Sequence, residues 1–223
     1  MKQILIAITV VWSAFIGLNA YASNPYVKIK TNLGDITVEL LPDKAPITVK
    51  NFLRYVKEGY YNGTIFHRVI DQFIIQGGAF TPDLQYKKAH QPITNEAING
   101  LTNEPGTIAM AREFDPNSAT SQFFINLDSN KFLNHYKPQP GYYGYCVFGK
   151  VVKGMDVAKK IGAVHTAAAG PFKEDVPTNP VIIEDVQILD KFAENTPTST
   201  TKSKKSKEKR HGKTSNKLRN NHP

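Results

Sequence analysis

Two short segments carry the side chains that could do chemistry. The first runs Phe66-His67-Arg68-Val69-Ile70-Asp71-Gln72-Phe73-Ile74-Ile75-Gln76-Gly77-Gly78. Alternate side chains of a strand share a face, which would put Arg68 beside Phe66 and Ile70. A cation in such a run is costly unless it is paired, placed at an edge or used. Arginine is always charged and presents five N–H donors in a fixed fork, so it would serve as a donor and not as a base. Gln76 interrupts a second apolar run just before Gly77-Gly78, where the missing Cβ atoms let a backbone or a ligand approach closely. The second segment is Ser121-Gln122-Phe123-Phe124-Ile125, with Gln122 and Phe124 on one face and Phe123 on the other. Taken singly, each feature has an ordinary explanation: a surface arginine, a satisfied glutamine, core aromatics.

Other chemistries lack their residues. There is no G-x-S-x-G, no P-loop and no G-x-G-x-x-G. The histidines, His67, His90, His135, His165, His211 and His222, form no i, i+4 pair and no H-E-x-x-H, so neither metal nor cofactor is expected. Glu174-Asp175 and Glu184-Asp185 read as solvated surface and not as acid/base pairs. Cys146 is the only cysteine, which excludes an intramolecular disulfide and cysteine-rich zinc sites. It lies in an apolar run and reads as a buried, inert thiol.

The elements around these segments follow from periodicity. Tyr26–Leu41 alternates apolar and polar residues around Asn32-Leu33-Gly34, the pattern of a β-hairpin. Val49, Phe52, Leu53 and Val56 follow helical spacing. With Pro46 suited to a first turn and Gly59 to a stop, they predict one amphipathic helix over Ala45–Glu58. Short strands are expected at Thr64–Ile70, Phe73–Gly77, Gly106–Ala111, Gln122–Leu127, Tyr145–Val151 and Val181–Leu189, with a short helix at Met155–Ile161. Many short strands and few helices indicate a mainly β barrel or sandwich.

The chain has 223 residues, 40% of them hydrophobic, enough for a folded core. Its net charge of +9 is unevenly placed. Residues 24–194 hold 18 basic and 18 acidic residues, whereas residues 195–223 hold nine basic residues against Glu208 alone. The body is therefore not a basic nucleic-acid domain. Residues 193–223 lack apolar periodicity and cannot bury enough surface to order themselves, so a basic disordered tail is expected. At the other end, Lys2 precedes the apolar stretch Ile4–Leu18 and then Ala20-Tyr21-Ala22. This predicts a secretory signal over residues 1–22, cut after about Ala22, and a periplasmic or secreted product. An uncleaved anchor is the alternative. The stretch is short of the roughly 20 residues a span needs, and Ser13 and Gly17 break it.

Over residues 24–192 the motifs together resemble the cyclophilin family of peptidyl-prolyl cis–trans isomerases. The carriers are Phe66-His67-Arg68-Val69-Ile70 with Gln76-Gly77-Gly78, Gly106-Thr107-Ile108-Ala109-Met110-Ala111, Ser121-Gln122-Phe123-Phe124-Ile125, and Val147-Phe148-Gly149-Lys150-Val151-Val152 with Gly154-Met155. Ala111-Arg112 and the secretory signal make the bacterial periplasmic members the nearer likeness. The resemblance implies a closed eight-stranded antiparallel β-barrel capped by two α-helices. It implies Arg68 as the catalytic residue, and Phe73, Phe124 and Leu133 as the proline pocket, with Ile74 where the family often has Met. Gln76, Ala111, Arg112 and Gln122 would line the groove and hold the peptide backbone. Phe132 stands where many eukaryotic members carry Trp, and Tyr145 where they carry His, so weak cyclosporin binding is expected. The substrates implied are proline-containing polypeptides, here unfolded exported proteins, acted on by a monomer. The insertion Asn134–Tyr143 matches no motif. Two other readings stay open: a binding module for proline segments with incidental turnover, and a binder of anionic surfaces through residues 195–223.

Overall fold

The computed structural model describes residues 24–189, so the secretory-signal and tail readings lie outside the described residues. The chain opens with the hairpin β1 (Tyr26–Thr31) and β2 (Gly34–Leu40), followed by α1 (Pro46–Lys57), β3 (Thr64–Ile70) and β4 (Ile74–Gly77). Next come β5 (Thr107–Met110), β6 (Phe123–Asn126), β7 (Val147–Lys153) and α2 (Met155–Gly162). A second hairpin, β8 (Thr166–Ala169) and β9 (Phe172–Pro177), precedes the last strand, β10 (Ile182–Leu189). Eight strands close a barrel in the order β1-β10-β3-β4-β6-β5-β7-β2, and β8-β9 stands apart as a two-stranded sheet. Every neighbouring pair in the barrel is antiparallel.

The barrel interior is the core, built by the alternation seen in the sequence. Val27 and Ile29 of β1 pair with Val38 and Ile36 of β2, and all four are fully buried. The α1 helix adds Val49, Phe52, Tyr55 and Val56 to this core, and α2 adds Ala158 and Ile161. Phe52 meets the rings of Tyr61, Phe123 and Phe148 at 5.2, 5.6 and 5.2 Å between centroids, Phe123 edge-on. No side chain of its own caps α1. Instead Glu96 reaches in from a loop. Its Oε1 accepts from the Ile47 N–H, and its Oε2 accepts from the N–H and hydroxyl of Thr48. A carboxylate at a helix N-terminus satisfies free donors and faces the positive end of the helix dipole.

One sequence expectation needs correction, and two further features go beyond the sequence reading. Arg68 does not share a face with Phe66. The β3–β4 register shifts between Phe66 and Arg68, a bulge that adds one residue and reverses the alternation. Phe66 and Val69 therefore both point into the core, and Arg68 faces outward with Ile70. Second, Gly77-Gly78 serves the protein's own packing. A Cβ on Gly77 would lie 2.8 Å from the Ile65 carbonyl oxygen, and one on Gly78, at φ +89°, would lie 2.9 Å from the Tyr61 ring. Third, the β8–β9 hairpin carries no local alternation to mark it, because Thr166–Ala169 is short, nearly all alanine and largely exposed. The strand and helix ends otherwise differ from expectation by one or two residues, the usual fraying.

Candidate active site

The outward-facing residues of four strands form one row. Arg68 on β3 is opposite Gln76 on β4, Gln76 is opposite Phe124 on β6, and Phe124 is opposite Ala109 on β5. Register thus brings together side chains more than 50 positions apart. Phe124 and Ala109 of the row belong to an apolar cluster separate from the barrel core, with Ile74, Leu133 and Val147, and with Phe73, Ala111 and Tyr145 packed against it. The row borders a cleft of about 290 Å³ lined by Arg68, Phe73, Ile74, Gln76, Ala111, Arg112, Phe124, Leu133 and Tyr145.

Arg68 is held at its near end. Its Nε lies 3.5 Å from Asp175 Oδ2, while the side chain stays 40% exposed. Among the described residues its Nη groups make no hydrogen bond, so the outer fork is free for a ligand. Asp175, on β9, adopts φ +67°, unusual for a residue with a side chain. It was expected to be solvated surface; it is the counter-ion of Arg68, brought there because β9 packs on β3. No sequence signal near Asp175 announced this. Next to Arg68, His67 is buried under the rings of Phe80 and Phe172, at 4.7 and 5.5 Å. Burial, helped by the Arg68 charge, lowers its pKa to about 4, so it is neutral at pH 7.

Two glutamines shape the opposite side. Gln76 Nε2 donates to Gln122 Oε1 at 3.0 Å. Gln122 does not line the cleft itself and acts by holding Gln76. Phe73 is carried on the β3–β4 turn, where Gln72 takes φ +54°. The Phe132 ring stacks on Phe73 at 5.6 Å, but Phe132 does not line the cleft and is 76% exposed. Tyr145 meets Phe124 edge-on at 5.6 Å. Arg112 belongs to the 111–112 stretch expected to hold the peptide through its backbone. Its side chain is committed to its own chain: Nε donates to the Gly144 carbonyl, Nη1 to those of Glu113 and Phe114, and Nη2 to that of Pro140. Its guanidinium lies 4.7 Å above the Tyr145 ring. Arg112 therefore shapes the cleft wall.

A chain of buried asparagines fixes this wall from behind. Asn126 Nδ2 donates to Asn103 Oδ1 and Thr107 Oγ1, and Asn130 Nδ2 donates to Asn126 Oδ1 and to the Phe73 carbonyl. Asn103 in turn donates to Asn134 Oδ1. Cys146 stays buried, its thiol pushed up to about 11 by burial. A larger groove of about 900 Å³ follows α1 between Ile47, Leu53, Pro92 and Ile93. Size alone would select it, but none of the motif residues reaches it.

The cleft pairs a free guanidinium fork with an apolar wall, and the whole barrel matches known proteins. The family model for cyclophilin type peptidyl-prolyl cis-trans isomerases matches residues 26–188. The chain belongs to the cyclophilin family. Peptidyl-prolyl cis-trans isomerase A of Dickeya dadantii is 48% identical over 192 residues, covering 85% of this chain and 99% of that protein. Peptidyl-prolyl cis-trans isomerase B of Escherichia coli is 54% identical over 162 residues, covering 73% of this chain and 98% of that one. A solved cyclophilin of Cryptosporidium parvum, crystallised in the presence of the dipeptide Ala-Pro, superposes with a TM-score of 0.62 at 31% identity. That match covers 74% of this chain and 99% of the other. This cyclophilin is accordingly a peptidyl-prolyl cis–trans isomerase with the family's eight-stranded barrel and two helices.

Proposed function

We propose that this cyclophilin turns X–Pro bonds of exported polypeptides by donating a hydrogen bond from Arg68 to the prolyl nitrogen. The planar amide delocalises the nitrogen lone pair into the carbonyl, and the rotation barrier is about 18–20 kcal/mol. Halfway through rotation that delocalisation is lost and the nitrogen becomes a better acceptor. A donor aimed at it binds the twisted state more strongly than either planar state, which is what lowers a barrier. The observation that carries this reading is the Arg68 fork above the Phe73, Ile74, Phe124 and Leu133 wall. The apolar wall takes the proline ring and lowers the local dielectric, which strengthens the donor. Gln76, oriented by Gln122, and the backbone of the Ala111–Arg112 stretch hold the flanking peptide while its other side rotates. Two-dimensional exchange NMR on a short X–Pro peptide tests this: a catalyst raises the exchange rate, whereas a mere proline-binding module broadens the resonances without raising it.

Residues 1–22 support export to the periplasm or beyond, so the clients would be unfolded exported proteins. N-terminal sequencing of the protein recovered from a periplasmic fraction should begin after about Ala22. Residues 195–223 support a second, separable property. Their charge of +8 against a neutral body favours salt-dependent adhesion to anionic surfaces. A form ending at Lys191 should isomerise a short peptide as the full chain does, but be retained less on anionic vesicles. Equal retention of the two forms would discard the adhesion reading.

A further inference from the structure

A second cleft adjoins the first and is not used by the isomerisation step. It encloses about 410 Å³ between Phe114, Phe132 and the loop carrying Pro140 and Gly141. Arg112 and Tyr145 line both clefts. Phe114 and Phe132 both line the second cleft and are each 76% exposed, with nothing covering them among the described residues. Single exposed apolar residues are common, but a contiguous set at a concavity marks a binding surface. The aromatic wall is continuous with the proline cleft, because Phe132 stacks on Phe73 and Tyr145 packs against Phe124.

The loop that closes this cleft is the 134–143 insertion, which no motif explained. It is built to hold its shape. Arg112 bonds to carbonyls on both sides of the cleft, those of Phe114 and Pro140. The Tyr136 N–H donates to the Tyr142 carbonyl at 3.0 Å, and His135 Nδ1 lies 2.8 Å from the Tyr143 carbonyl oxygen. Gly144, at φ +80°, lets the loop return so closely that a Cβ there would collide with the His135 backbone. A cleft formed before its ligand arrives spares most of the ordering cost of binding.

We propose that this second cleft is a subsite for residues flanking the substrate proline, and that it takes an aromatic side chain one or two positions away. An extended peptide advances about 3.3–3.6 Å per residue, so one or two steps reach a cleft that shares two lining residues with the first. Offset and edge-to-face contacts with Phe114 and Phe132 favour an aromatic guest over an aliphatic one of equal area. The proposal rests on the isomerase reading of the Arg68 cleft.

The test compares X–Pro peptides carrying Phe or Gly at each position within two of the proline, in a protease-free assay. For at least one position the wild-type protein should favour Phe on the order of tenfold in kcat/KM. Phe114→Ser should bring that ratio close to one, and Phe114→Trp should keep it; Phe114 is exposed enough for both to fold, which circular dichroism checks. A wild-type ratio near one at all positions, or a ratio unmoved by Phe114→Ser, overturns the subsite while leaving the isomerase intact. Failure to turn over the Gly peptides and the Phe peptides alike would instead overturn the isomerase reading beneath it.

Discussion

Lowering the pH from 7 towards 4 should destabilise the fold through His67. This imidazole is 2% exposed, in tilted contact with the rings of Phe80 and Phe172, and its Nδ1 has no hydrogen-bond partner among the described residues. Desolvation is the main reason its pKa falls from 6.5 to about 4, and the adjacent Arg68 charge adds to it. The unfolded chain takes up the proton near 6.5, whereas the folded chain resists until about 4. Between those values the unfolded state binds more protons. The contribution is therefore complete above about 6.5, declines as pH falls, and is gone below about 4. The difference corresponds to about 3 kcal/mol. Urea unfolding across this range, for wild type and His67→Gln, isolates the effect from the carboxylates, which both proteins share. The wild-type stability should fall more steeply by that amount. Parallel curves, or an imidazole NMR shift titrating near 6.5 in the folded protein, would refute the reasoning.

Asn126→Leu should cost about 2–4 kcal/mol in chemical denaturation, because buried Asn103 and Asn130 each lose a partner. It should also raise KM, since Asn130 holds the Phe73 carbonyl. Asp175→Asn should lower kcat roughly two- to fivefold with little change in KM or in the unfolding midpoint, the size expected when a partly exposed ion pair that aims a side chain is lost. Steady-state kinetics that show unchanged kcat would remove Asp175 from the site. Phe132→Trp should tighten cyclosporin binding with little change in proline turnover, because an indole N–H is added where phenylalanine has no donor. Calorimetric titration of both proteins checks this, and a wild type that already binds as tightly as the Trp variant would contradict it.

How far the fold was legible depended on whether local pattern decided it. The β1–β2 alternation and the helical spacing of Val49, Phe52 and Val56 each mark one buried face, and both elements form where expected. Barrel closure was not legible in any segment, since it is a property of register among strands far apart in sequence; it entered through the motif resemblance. The bulge at Phe66/Arg68 was invisible for a related reason. One extra residue reverses the face of Arg68, and only pairing with β4 reveals it. Within the site, the alternation of Gln122, Phe123 and Phe124 held, with Phe123 in the core and Phe124 in the outer cluster. Asp175 escaped because a charged residue on a short exposed hairpin looks like solvated surface until a neighbour is placed beside it. The commitment of Arg112 to backbone carbonyls escaped because it depends on the return of the 134–144 loop.

The central claim is that the Arg68 fork stabilises the twisted prolyl amide. The direct measurement is kcat/KM of Arg68→Ala on an X–Pro peptide in a protease-free assay, with the fold verified by its unfolding midpoint. Losing one preorganised donor typically costs about 3–4 kcal/mol of transition-state stabilisation, so a fall on the order of 10²–10³ is predicted. Arg68→Lys should recover little of it, because a point charge lacks the planar fork. Turnover near that of the wild type in a folded Arg68→Ala protein would contradict the mechanism.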